Sequence, residues 1–272
     1  MKLPLMPVRV LTIAGSDCSG GAGIQADLKT FQALGCYGMS VLTALTAQNT
    51  LKVSSVFAVS PGFIEDQMAM VFEDVGVDAV KIGMLHGTPV IESVARILKR
   101  YEVSKVVLDP VMISKAGSSL LDPQSVEAMV SLLFPLTSIL TPNLPEAEVI
   151  TGQPFRSCRE MEEGAEVFLK SVPAVILKGG HLVDRFYSPD FLATVKGERK
   201  WLKLPRIDSP NTHGTGCTYS SAIAAYLGKG ADILEAVALA REFLQSAILS
   251  GKKYSLGRGC GPVDHSFLQG SR

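Results

Sequence analysis

Along this chain, short and almost wholly apolar runs alternate with longer stretches in which apolar residues recur every three or four positions. The run 8–14, VRVLTIA, reads as a buried strand. After a glycine-rich loop, residues 24–35, IQADLKTFQALG, carry a helical spacing that stops at Gly35. Residues 39–48 are strand-like, 61–74 open on a proline and keep a helical spacing, and short strands follow at 78–84, 105–111, 138–143 and 174–180. Helical segments lie near 88–100, 122–133 and 157–170, and two more, near 215–228 and 231–250, come late in the chain. Apolar strands without alternation, separated by helices, predict a mostly parallel α/β sheet covered on both faces. The stretch 182–204 breaks this rhythm and reads as antiparallel hairpins, with Lys196-Gly197 in a turn, added at a sheet edge. Without repeats, low-complexity tracts or a linker, one domain over residues 1–272 is expected.

Composition narrows the function classes. Of 272 residues, 47% are hydrophobic and 19% charged, which suits a soluble globular chain with an ample core. Lys plus Arg and Asp plus Glu both number 26, and this balance argues against nucleic acid as the main partner. No run of eighteen apolar residues occurs, so no membrane span is expected. The start, MKLPLMPVRV, is too short and proline-broken for a signal peptide. The five cysteines, at 18, 36, 158, 217 and 260, are odd in number and form no CxxC pair. They predict neither a disulfide framework nor a zinc site, and the expected location is a reducing cytoplasm.

In parallel sheets, ligands bind beyond the carboxyl ends of the strands. Gln48, Met84 with His86, Asp109, Asn143 and Lys178 all fall at such ends. The loop GSDCSGGAGIQAD (15–27) matches a G-x-G-x-x-A form at Gly21, Gly23 and Ala26. A dinucleotide site would need an acid at the end of the next strand, where Gln48 stands instead, and no Walker phosphate loop is present. The loop still permits close approach of a ligand to the backbone. Asp27 fits either a ligand contact or favourable placement near a helix N-terminus, and Asp17 fits a turn.

A second glycine loop, NTHGTGC (211–217), opens a helix. Consecutive backbone N–H groups at such a point suit an anion, and Thr215 and Thr218 offer hydroxyl donors. Cys217 stands where the helix's partial positive charge is greatest, which favours a thiolate; a buried small apolar residue is the plainer alternative. In TPNLPEAE (141–148), Asn143 and Glu146 form a capping box with Pro145 in the first turn. The same oxygens, with Asp109, also suit a hydrated magnesium ion, and both readings stay open.

Taken in order, TIAGSDCSGGAGIQADLKTF, TALTAQNT, KIGML, VVLDPVM, TPNLPEAE, LKGGH, NTHGTGCTYSSAIAA and GRGCGPVDHSF resemble the hydroxymethylpyrimidine/phosphomethylpyrimidine kinases of the ribokinase-like superfamily, across almost the whole chain. The resemblance implies a three-layer α/β/α sandwich with a central, mostly parallel sheet. It implies transfer of the ATP γ-phosphoryl group to 4-amino-5-hydroxymethyl-2-methylpyrimidine and then to its monophosphate, with ATP and Mg2+ as cofactors, K+ as a further candidate, and a homodimer. It assigns Gly15, Asp27, Gln48, Met84 and Val111 to the pyrimidine, with Asp27 accepting from the exocyclic amine. It assigns Lys178, Asp109 and Thr212 to nucleotide and phosphate, and Asn143 and Glu146 to the metal. Gly214, Thr215, Gly216 and Cys217 become the anion hole with its catalytic residue, Cys217 taking the hydroxymethyl proton as thiolate. The segment 184–190 becomes part of a flap. Competing readings are a pyridoxal or pyridoxine kinase on the same scaffold, a cysteine hydrolase using Cys217 with His213, and a pyrimidine sensor without catalysis.

Overall fold

The computed structural model describes residues 6–112, 121, 124–182 and 186–269. Among them, nine strands form one sheet: β1 (Arg9–Asp17), β2 (Tyr37–Gln48), β3 (Val53–Ala58), β4 (Ala79–Ile82), β5 (Val106–Leu108), β6 (Ile139–Leu140), β7 (Ala174–Leu177), β8 (Tyr187–Thr194) and β9 (Arg199–Pro205). Their spatial order is β3-β2-β1-β4-β5-β6-β7-β8-β9. The strands from β2 through β1 to β7 run parallel, while β3 at one edge and β8 and β9 at the other pair antiparallel. The helices are α1 (Gly23–Ala33), α2 (Pro61–Met70), α3 (Thr88–Arg100), α4 (Ser125–Leu132), α5 (Leu144–Thr151), α6 (Cys158–Phe168), α7 (Thr215–Gly228) and α8 (Ile233–Gly251).

Side chains alternate across each strand, and the alternation sorts the core into two layers. Leu11, Ile13, Val80 and Ile82 pack with α2 to α6. Val10, Ala79, Val107 and Ile176 pack with α1, α7 and α8. The three-layer, mostly parallel arrangement expected from the sequence is therefore what forms. The 182–204 stretch builds β8 and β9 as an edge addition, as expected. Strand β3 was not expected: it follows β2 after a tight connection, and nearly all its side chains are exposed, so it lacks an apolar face to signal it. Helix α2 passes directly into a π-turn at Val71–Val75. Positions 122–123 of the expected helix 122–133, and 184–185 of the expected flap, lie outside the described residues. No helix among the described residues is long and apolar enough to cross a membrane.

One ion pair interrupts the apolar core. Lys81 on β4 and Thr12 on β1 face the α1/α7 layer, where Asp27 of α1 receives both. Lys81 Nζ lies 2.9 Å from Asp27 Oδ2, Thr12 Oγ1 donates to Oδ2 at 2.6 Å, and Ser221 Oγ of α7 donates to Oδ1 at 2.7 Å. Both charged side chains are fully buried. Burial alone would lower the Lys81 ammonium, but the negative field of Asp27, with Asp109 adding, holds it above its ordinary range. The cluster ties the sheet to two helices beneath the carboxyl ends of β1 and β4.

Removing one partner of such a pair leaves an uncompensated buried charge. Lys81→Met should lower unfolding stability by about 3–5 kcal/mol, and Asp27→Asn in the same chain should recover a large part of the loss. Urea denaturation of the single and double variants measures both changes; a single variant as stable as the parent contradicts this account.

Candidate active site

A cavity of about 1160 Å³ opens at the carboxyl ends of β1, β2, β4, β5, β6 and β7, and the N-terminus of α7 points into it. Gly15, Gln48, Met84, Val111, Asp109, Asn143, Glu146, Lys178, Thr212, Gly214, Thr215, Gly216 and Cys217 line it together. Of the residues that the resemblance assigns to the site, Asp27 alone does not. Its carboxylate is fully buried away from the cavity lining, where it receives Lys81, Thr12 and Ser221. The expectation of a direct ligand contact by Asp27 is corrected to a structural role. Two donors read from the sequence also fall away. Thr218 is fully buried with its hydroxyl on His265 Nε2 at 2.9 Å, and His86 is not part of the cavity wall.

The two glycine loops abut. Gly214 caps α7 with φ +79°, a conformation that disfavours any Cβ. A Cβ there would lie 1.9 Å from the carbonyl oxygen of Gly21. Helix α7 has no side-chain cap, so its leading N–H groups are left for a ligand in the cavity. The first loop folds around Asp17. Its Oδ1 accepts from Ser19 N and Oγ at 2.9 and 2.7 Å, and its Oδ2 accepts from Gly21 N and Ala22 N at 3.1 and 2.9 Å. His213 Nε2 also lies 2.9 Å from that Oδ2. Burial alone would raise the Asp17 carboxyl, but the bonds from His213 and Ser19 outweigh it and hold it at about 2.

One wall carries Gly15, Gln48 and Met84. Gly15 lets Met84 close in, since a Cβ at 15 would stand 2.9 Å from Met84 Sδ. Gln48 reaches the same wall from the end of β2. The opposite wall carries charge. Lys178 Nζ pairs with Asp109 Oδ1 at 2.7 Å, and Thr141 Oγ1 and Ser220 Oγ donate to Asp109 at 3.1 and 3.2 Å. Burial would raise Asp109, but Lys178 and Lys81 hold it below the usual carboxylate range. The capping box is present: Asn143 Oδ1 accepts from Glu146 N, and Glu146 Oε2 accepts from Asn143 N, both at 2.8 Å. Burial pushes the Glu146 carboxyl up to about 7, Lys178 opposing and Asp109 adding to the rise. Two carboxyl groups thus face one ammonium, and their oxygen donors suit a hard divalent cation.

Cys217 departs from expectation. Burial pushes its thiol up to about 11, against the pull of Lys81, with Asp27 and Asp109 adding to the rise. The residue is only half-buried by area, so water in the cavity tempers the rise without reversing it. The lowered pKa read from its place at the mouth of α7 is corrected: burial, with two carboxylates adding, sets the direction upward. His213 is turned to Asp17, which removes the oriented imidazole that a cysteine hydrolase needs.

Several wall residues went unread in the sequence. Lys81 stands in an otherwise apolar run, and that isolated charge was the available signal. Asp190 and Arg241 form a buried pair at 2.7 Å, and the buried Tyr219 hydroxyl has no hydrogen-bond partner among the described residues. Nothing local marks these three, because β8, α7 and α8 meet only in the folded chain.

Fold and site together define a small-molecule kinase of the ribokinase-like type. A model of the phosphomethylpyrimidine kinase family matches residues 17–264, and the chain belongs to that family. It is 48% identical over 260 residues to the hydroxymethylpyrimidine/phosphomethylpyrimidine kinase of Escherichia coli (strain K12), covering 95% of this chain and 97% of that one. It resembles an ADP complex of Bacillus subtilis pyridoxal kinase with a TM-score of 0.87 and 38% identity, over 96% and 98% of the two chains. It resembles phosphomethylpyrimidine kinase from Clostridium difficile with a TM-score of 0.78 and 45% identity, over 88% and 99%.

The raised thiol gives a test. With Cys18 and Cys158 replaced by serine, iodoacetamide labelling of Cys217, followed by peptide mass spectrometry, should climb about tenfold per pH unit and level only near 11. Levelling near the ordinary thiol value of about 8.5 contradicts the assignment.

Proposed function

We propose that this chain transfers the γ-phosphoryl group of ATP to the hydroxymethyl oxygen of 4-amino-5-hydroxymethyl-2-methylpyrimidine, and then phosphorylates the monophosphate to the diphosphate, on a single domain spanning 1–272. The observation that carries this reading is the shared cavity: the Gly214–Cys217 turn opens between the wall of Gln48 and Met84 and the wall of Asp109, Glu146 and Lys178.

Phosphoryl transfer asks chiefly for positioning and charge neutralisation. Gly15, Gln48, Met84 and Val111 hold the ring, and the Gln48 amide offers the donor and acceptor that an aminopyrimidine edge needs. The N–H groups of Gly214 to Cys217, with the Thr215 hydroxyl, receive the oxygens of the migrating group. Lys178 offsets their charge, and Thr212 takes part on the nucleotide side. The clustered oxygen donors support a Mg2+ site at Asn143 and Glu146, near Asp109; bound there, the ion would neutralise phosphate charge. K+ enters as a monovalent activator, tested by exchange for Na+. The nucleotide base is directed to the cavity's other lobe, where Leu182, Ile207, Leu244 and Ile248 offer apolar surface.

Cys217 takes the alcohol proton in its thiolate form. Because the thiol is held near 11, little thiolate is present at neutral pH, and kcat should rise with pH above 7. The transfer comes late, once bonding to phosphorus has acidified the alcohol. A homodimer of these subunits, in a reducing cytoplasm, completes the reading; the exposed Val56 and Phe57 on edge strand β3 supply apolar surface for a partner copy. Pyridoxal phosphorylation is the second reading, favoured by the TM-score of 0.87 to a pyridoxal kinase.

Mass spectrometry after incubation with ATP, Mg2+ and the aminopyrimidine alcohol should find ADP and the pyrimidine diphosphate. Pyridoxal phosphate formed at a higher kcat/KM would reverse the order of the two readings. Cys217→Ala should lower kcat by about 10²–10⁴ while calorimetric binding of the pyrimidine persists. Near-normal turnover in that variant removes Cys217 from the chemistry.

A further inference from the structure

Four side chains form a continuous hydrogen-bonded row along the ring-recognition wall: Asp17, His213, Gln48 and Thr46. Asp17 is ionised and can only accept. His213 Nε2, 2.9 Å from its Oδ2, must therefore carry a hydrogen and donate it. The Gln48 amide nitrogen stands 3.3 Å from the same Nε2. In that orientation two N–H groups confront each other. A second conflict sits at the other end of the amide. Thr46 has one hydroxyl proton, given to Ser16 O at 2.8 Å, yet it is also asked to donate to Gln48 Oε1 at 3.3 Å. Turning the amide by 180° leaves its shape unchanged, frees Thr46 of a second donation and replaces the two opposed N–H groups by an acceptor beside the Nε2–H. Oε1 then takes the longer branch of the one His213 Nε2–H, whose shorter branch goes to Asp17 Oδ2, and Nε2 donates to a lone pair of Thr46 Oγ1.

We propose that Asp17 and His213 are positioning residues that hold the Gln48 amide in this turned orientation and thereby set which heteroaromatic edge the site accepts. One lone pair of Oε1 and one N–H of Nε2 are used on the wall. The other lone pair and the other N–H remain for the ligand, in a fixed order. That order matches a ring nitrogen beside an exocyclic amine, and a pyridine alcohol without the amine uses only half of it. The device is held firmly. Asp17 is itself fixed by four donors from the first glycine loop, and the His213 ring packs so closely on Gly21 that a Cβ there would lie 2.4 Å from it. The His213 backbone is tied to Gly261 O at 2.9 Å. The row therefore runs from one glycine loop, through the residue preceding the anion turn, to the recognition amide.

The inference rests on the pyrimidine reading, and two measurements separate their fates. In the full chain labelled with 15N-histidine, NMR should find His213 Nε2 protonated; a neutral ring with its proton on Nδ1 overturns the proposal whatever the substrate. In kinetics, His213→Leu should raise KM for the aminopyrimidine alcohol about tenfold or more, with KM for ATP changed less than about threefold, and should shrink the kcat/KM preference over pyridoxal by a similar factor. His213→Gln retains an N–H at the matching position and should restore most of the preference. An unchanged pyrimidine KM in the Leu variant, equal rises in both KM values, or a Gln variant no better than Leu each overturns it. If the parent enzyme fails to phosphorylate the pyrimidine at all, the functional reading falls, while the NMR result still decides the state of the row.

Discussion

Everything at the site depends on one close approach: the backbone of Gly214 against the carbonyl of Gly21. A side chain at 214 would occupy the space of that oxygen, and its φ of +79° lies where only glycine sits without strain. The contact brings the amides that open α7 against the loop that follows β1, and Asp17 and His213 join the same loops across 196 residues of sequence. A parallel sheet makes this possible. Strands that all run one way release their loops at one edge, so loops distant in sequence arrive at one cavity.

The second constraint is charge. Asp27 and Lys81 neutralise each other under the floor, and Thr12 and Ser221 satisfy the remaining acceptor capacity. Above them, Asp109 pairs with Lys178 close to the anion turn, and burial keeps the neighbouring Glu146 carboxyl partly protonated. In a partly dehydrated space these fields act strongly on neighbours. Burial, with Asp27 and Asp109 adding and Lys81 opposing, pushes the Cys217 thiol up. Such a balance suits a reaction in which charge migrates between oxygens.

Local physics made much of the architecture readable. Helix α7 falls on Thr215–Gly228, the limits expected, because Gly214 marks its start and small apolar residues continue through it. The expected strands 105–111 and 138–143 shrink to Val106–Leu108 and Ile139–Leu140. Their polar ends leave the ladder to build the cavity wall, and a run of residues does not tell where a strand stops pairing. Strand β3 was missed because edge strands need no buried face. At the site, the capping box of Asn143 and Glu146 was legible from spacing alone, since both partners lie within one helical turn. Asp27 was misread because its partners Lys81 and Ser221 come from two distant elements.

The sequence by itself determined the alternation of strand and helix, the two glycine turns, the capping box and the ordered motifs that identify the family. Each is encoded by neighbours within a few residues, where backbone geometry and apolar spacing act directly. Only the tertiary structure decided that Asp27 belongs to the floor, that Cys217 is a thiol, and that His213 serves Asp17 and Gln48 instead of Cys217. Those outcomes depend on burial and on charges brought together from far along the chain, and desolvation and Coulomb energy are set by three-dimensional surroundings that no local pattern carries.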